Sequence, residues 1–113
     1  MEPGYVEAVL DLVDQVPSGR VTTYGALARA VGIGGPRQVG RVMALYGDAV
    51  PWWRVVHADG APATCHEGTA TQHLAAEGVL LRRSSRVDLA EAEWALDPRP
   101  VEQAGRRPQE RDR

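Results

Sequence analysis

The chain has 113 residues, 43% of them hydrophobic, and a net charge of −2. That leaves room for one small soluble domain with a single core. No apolar run approaches the roughly 18 residues a spanning helix needs, so the protein is expected to be cytoplasmic, without a secretory leader or a membrane partner. The lone cysteine, Cys65, excludes an internal disulfide, no spacing among His57, His66 and His73 forms a metal site, and no cofactor is implied.

Val6, Val9, Leu10, Val13 and Val16 recur at helical spacing while Glu7, Asp11 and Asp14 take the opposite face. This predicts an amphipathic helix over 5–16, stopped by Pro17-Ser18-Gly19. Thr22 or Thr23 can cap a short second helix through Tyr24, Leu27, Ala28 and Val31, and Gly32 to Gly35 make a turn before Pro36 opens a third helix running to about Tyr46. Helix, glycine turn, helix is the helix-turn-helix pattern, with Arg37 at the start of its second helix and Arg41 on the outer face. Gly40 inside that helix costs about 1 kcal/mol relative to alanine, so a close approach to its backbone is expected. Pro51-Trp52-Trp53-Arg54-Val55-Val56 reads as an extended segment, Ala58-Asp59-Gly60 as a tight turn and 61–68 as a loop. A helix over 69–77 with Gly78 as its cap, a short strand Val79-Leu80-Leu81 and a turn of helix near 89–96 complete a domain expected to span 1–96. From Asp97 onward Pro, Arg, Gln and Glu dominate, predicting a disordered tail over 97–113. The expected fold is mainly α with a small β element, a winged helix-turn-helix-like domain.

Charge is segregated along this order. Residues 1–19 hold four acids and no base, 20–86 hold eight arginines against four acids, and 87–113 hold seven acids against five arginines. All thirteen basic residues are arginine, whose planar fork suits phosphate contacts better than a lysine ammonium does. Alone, a helix-turn-helix with a basic second helix points only to DNA.

Three separated motifs sharpen this: Val21-Thr22-Thr23-Tyr24-Gly25, Pro36-Arg37-Gln38-Val39-Gly40, and Pro51-Trp52-Trp53-Arg54-Val55-Val56. In order and spacing, over about residues 4–96, they resemble the C-terminal DNA-binding domain of the O6-alkylguanine-DNA alkyltransferases, and most closely the non-enzymatic alkyltransferase-like proteins. In the alkyltransferases the third motif carries a cysteine that takes the alkyl group and a histidine that draws off its proton. The resemblance puts Trp52 and Trp53 at those places, so nucleophile and base are both missing and no alkyl transfer is implied. Glu77, matching the glutamate that holds the histidine, is left with nothing to orient.

The same resemblance implies that the chain binds double-stranded DNA carrying an alkylated guanine as a monomer, flips the base into a pocket and flags it for nucleotide-excision repair proteins. Arg37 would enter from the minor groove and fill the gap, Tyr24 would press on the phosphate 3′ of the target, and Gly40 and Arg41 fall among the DNA contacts. Trp52 would form the pocket floor, Trp53 serves either the site or the packing, Arg54 either the site or an ion pair, and Ala63, Thr64 and Cys65 belong to the pocket lip. Two rivals remain: a suicide alkyltransferase using Cys65 beside His66, and a sequence-specific winged-helix regulator reading the major groove.

Overall fold

The computed structural model describes residues 2–101. Helix α1 (Pro3–Gln15) begins where the Glu2 carboxylate accepts from the Tyr5 amide at 3.2 Å and Pro3 presets the first turn. Its buried face is Tyr5, Ala8, Val9, Leu12 and Val13, a stripe at the i, i+3, i+4, i+7, i+8 positions. Strand β1 (Thr22–Thr23) leads directly into α2 (Tyr24–Val31). Of the two threonines that could cap this helix, Thr23 does so, its hydroxyl accepting from the Ala26 amide at 3.0 Å. Gly32, with φ of 93°, ends it.

The turn to α3 (Pro36–Tyr46) is held from both sides. Gln38 accepts from the Gly35 amide at 2.9 Å. Gly34 is left-handed, with φ of 76°, and a β-carbon there would collide with the Tyr5 hydroxyl, so only glycine lets the turn close over α1. Helices α1, α2 and α3 pack around Val9, Leu12, Leu27, Val31, Val39 and Val42, the layer that fixes the helix-turn-helix.

Strand β2 (Val55–Val56) pairs in parallel with β1, Thr22 opposite Val55 and Thr23 opposite Val56. This two-stranded sheet is the small β element expected beside the helices. The segment before it differs from expectation: Trp52–Arg54 is a turn of 3-10 helix rather than extended chain. The Arg54 amide bonds back to the Pro51 carbonyl at 3.1 Å, while its guanidinium is drawn to Val16 and Glu77. Tertiary anchoring thus overrides the extended preference of Trp and Val.

Ala58–Gly60 makes the expected tight turn, the Gly60 amide bonding the His57 carbonyl at 2.8 Å. Helix α4 (Ala70–Ala76) follows, capped at Glu77 with left-handed Gly78 beyond it. The expected strand over Val79–Leu81 is absent, and a single antiparallel bridge joins Leu81 to Val87 instead. A second core of Val21, Val56, Leu74, Val79 and Val87 lies beneath it, with Trp53 packed against both cores. The last helical turn, α5 (Leu89–Ala92), is capped by Asp88.

The boundary expected at residue 96 is too early. Arg99 is 6% exposed, its guanidinium meets Asp11 at 3.0 Å and its amide donates to the Ala30 carbonyl at 2.8 Å. One buried arginine ties residues 97–101 across α1 and α2. The remainder of the expected tail, 102–113, lies outside the described residues. No helix among the described residues is long and apolar enough to cross a membrane.

Candidate nucleic-acid interface and base pocket

The N-terminus of α3, the start of α2 and the segment after β2 converge on a cavity of about 560 Å³. Six residues singled out in the sequence meet there: Tyr24, Arg37, Gly40, Ala63, Thr64 and Cys65. Tyr24 is placed by the Thr23 cap, at the first position of α2. Burial pushes its phenol up to about 12, and the nearby Cys65 adds to the rise. The hydroxyl is therefore neutral at physiological pH and can donate a hydrogen bond. His57 stands over the Tyr24 ring, 5.0 Å between centroids.

Arg37 is exposed in the first turn of α3, and no acidic side chain pairs with it among the described residues. A cation held unpaired at the positive end of a helix is mildly unfavourable, so an external anion or stacking partner would relieve it. Arg41, one turn further on, is exposed and does not line the cavity. Gly40 does line it. A β-carbon at Gly40 would meet nothing within 4 Å among the described residues, so none of them makes the close approach expected there. Met43 and Ala44 complete the α3 wall. Their signal was in the sequence, since Pro36, Gly40, Met43 and Ala44 fall on one helical face.

Three of the expected pocket residues stand elsewhere. Trp52 is not part of the cavity lining; it is 7% exposed and packs in the same core as Met43 and Ala63, which are. Its indole is covered by His66, whose ring lies flat on it at 3.9 Å with 11° between planes. His66 is fastened in turn by Asp48 at 2.5 Å. Nothing in the residue pattern announced this stack.

Trp53 and Arg54 are drawn the other way, toward Glu77. The Trp53 indole N–H donates to Glu77 at 2.9 Å, with its ring stacked on His73 at 4.2 Å. Arg54 donates to Glu77 at 2.6 Å and to the Val16 carbonyl at 2.8 Å. Of the two roles open for Arg54, the ion pair is the one observed. Glu77, expected to be idle, is thus the hub of a network that also accepts from the Gly19 amide at 3.1 Å. Burial alone would raise its carboxyl, but the bonds from Arg54, Gly19 and Trp53 outweigh this and hold it below the ordinary carboxylate value.

Residues 5–79 match the family model described as the 6-O-methylguanine DNA methyltransferase DNA-binding domain. The chain is 35% identical over 98 residues to the DNA base-flipping protein of Escherichia coli, an alignment covering 82% of this chain and 76% of that one. It is 35% identical over 97 residues to alkyltransferase-like protein 1 of Schizosaccharomyces pombe, covering 76% and 90%. The solved structure of that yeast protein in complex with damaged DNA containing O6-carboxymethylguanine superposes with a TM-score of 0.74 and 31% identity, over 83% of this chain and 97% of that chain. On this agreement of sequence and fold, the chain belongs to the 6-O-methylguanine DNA methyltransferase DNA-binding-domain family and, within it, to the alkyltransferase-like proteins.

Proposed function

We propose that this protein binds duplex DNA carrying an O6-alkylated guanine, turns that base out of the stack into the cavity between α2, α3 and the 57–65 segment, and holds it there without removing the alkyl group. The observation that carries the reading is the open cavity lined by an exposed arginine and a neutral tyrosine. At about 560 Å³ it falls within the roughly 300–1,000 Å³ usual for small-ligand sites. In this reading Arg37 enters from the minor groove and stacks in the gap left by the base. The neutral Tyr24 hydroxyl donates its proton in a hydrogen bond to the phosphate 3′ of the target, unopposed by any charge of its own. Extrusion costs a few kcal/mol, least for a base that already pairs badly, which favours the lesion over intact guanine.

No transfer follows because the residue at the place of the family's nucleophile is Trp52, and an indole cannot accept an alkyl group as a thiolate does. A protein that leaves the adduct in place must pass it on, and the bound monomer marks the site for nucleotide-excision repair. One observation favours a second reading: Cys65 lines the cavity. Transfer to its sulfur needs a base, yet no hydrogen-bond partner meets that sulfur among the described residues, and the neighbouring His66 ring lies stacked on Trp52 instead.

The test is equilibrium binding to one duplex with and without O6-methylguanine, the methyl group carrying a label. Tighter binding to the damaged duplex, with all label remaining on DNA, is the expected result. Equal affinity refutes base capture, and label on the protein assigns the chemistry to Cys65. Faster incision of the lesion strand by excision-repair nuclease when the protein is added would support the hand-over; unchanged incision would oppose it.

A further inference from the structure

Residues 82–86 read Arg-Arg-Ser-Ser-Arg, three cations in five positions, and α2 and α3 account for none of them. The segment is a closed turn at the tip of the Leu81–Val87 bridge: the Arg82 amide bonds the Arg86 carbonyl at 2.9 Å and the Ser85 amide bonds the Arg82 carbonyl at 2.8 Å. It is pinned to the edge of the cavity. The Val87 amide donates to Gly60 at 2.8 Å, and a β-carbon on Gly60 would run into the Val87 backbone, so the two strands of chain touch. Arg86 meets Asp59 at 3.0 Å, and the residues just before Asp59, His57 and Ala58, are cavity wall.

We infer that this arginine hairpin is a second grip on DNA, taking the phosphodiester backbone beside the extruded base and extending the footprint beyond the helix-turn-helix. The inference rests on the base-capture reading for its position, while its chemistry comes from the hairpin itself. The two acids bonded to the hairpin are already committed. Asp59 is held in its charged form by the Ala61 amide and by Arg86, so a phosphate approaching Ala58 does not face a bare carboxylate. Asp88 pairs with Arg82 at 3.1 Å and also caps α5 through the Ala90 amide. Arg83, at the tip, is exposed and has no partner among the described residues, and neither do the amides of Arg83 and Ser84. An arginine fork with adjoining amides and serine hydroxyls is the donor set that positions phosphates without reading sequence.

The test is binding of the full chain to matched duplexes with and without O6-methylguanine between 50 and 200 mM salt. Arg83→Ala, which breaks no internal contact, is expected to lower the salt slope by about 0.9 and to weaken binding roughly threefold to tenfold on both duplexes alike, leaving their ratio unchanged. Arg83→Lys should keep the slope, and the triple change Arg82→Ala, Arg83→Ala and Arg86→Ala should lower it further. Unaltered slope and affinity in a folded Arg83→Ala protein overturn the inference, as does a loss confined to the damaged duplex. A wild-type protein that shows no lesion preference sinks the base-capture reading instead, while the slope on intact DNA still decides the hairpin.

Discussion

Arg37 is one position into α3, with solvent on one side and the cavity on the other. No acidic side chain pairs with it among the described residues, so its replacement should leave the fold untouched and act on binding alone. Arg37→Ala is expected to remove most of the preference for damaged DNA while leaving the salt-dependent background largely in place, as a titration on paired duplexes would read. An equal fall on both would reduce Arg37 to a phosphate contact. Arg37 and Tyr24 were visible in the sequence because their motifs are local: a proline that opens a helix and a threonine that caps one fix the next side chain whatever the rest of the chain does. Trp53 and Arg54 could not be placed the same way. Their positions are set by Glu77, Arg54 being 23 residues distant from it, and no local pattern encodes that partnership.

At the scale of elements, Glu77 joins three pieces: the turn after α1 through the Gly19 amide, the Trp52–Arg54 turn, whose Arg54 also bonds the Val16 carbonyl, and α4. Its neutralised form, Glu77→Gln, keeps the shape and loses the charge. It is expected to lower stability by about 1–3 kcal/mol at neutral pH, measured by denaturant unfolding. The pH dependence has a definite sign. The folded carboxyl is held below its ordinary value of 4.5, so its contribution is complete above that value and is lost as pH drops through the lower folded value. The gap between wild type and Glu77→Gln should therefore narrow steadily below pH 4.5, and a gap that widens on acidification would contradict the network. Helices α1, α2 and α3 were legible from apolar period and end signals. The turn at Trp52–Arg54 was not, because the forces that coil it act from outside the segment.

Across the whole molecule, the two ends of the described chain are fastened together. Arg99 reaches back 88 residues to Asp11, and Val101 comes close to Gly4. Composition alone marked everything past Leu96 as unstructured, since polar and proline-rich sequence rarely buries itself. One arginine with a carboxylate waiting in α1 was enough to defeat that rule for residues 97–101. A chain ended at Leu96 is expected to melt about 5–10 °C lower than one ended at Val101. Indistinguishable melting curves would mean that the Arg99 anchor contributes nothing.

The seating of Trp52 bears on how such a chain can change over generations. Its indole is interior filling, in one core with Met43, Ala63 and Val55, edge-on to Trp53 and His73 and roofed by His66. Exchanging an indole of that kind for a small side chain leaves a void that costs about 3–5 kcal/mol, against a total stability of only about 5–15 kcal/mol for an ordinary domain. A small side chain placed there without repacking the interior would therefore consume roughly a third or more of the stability of an average domain.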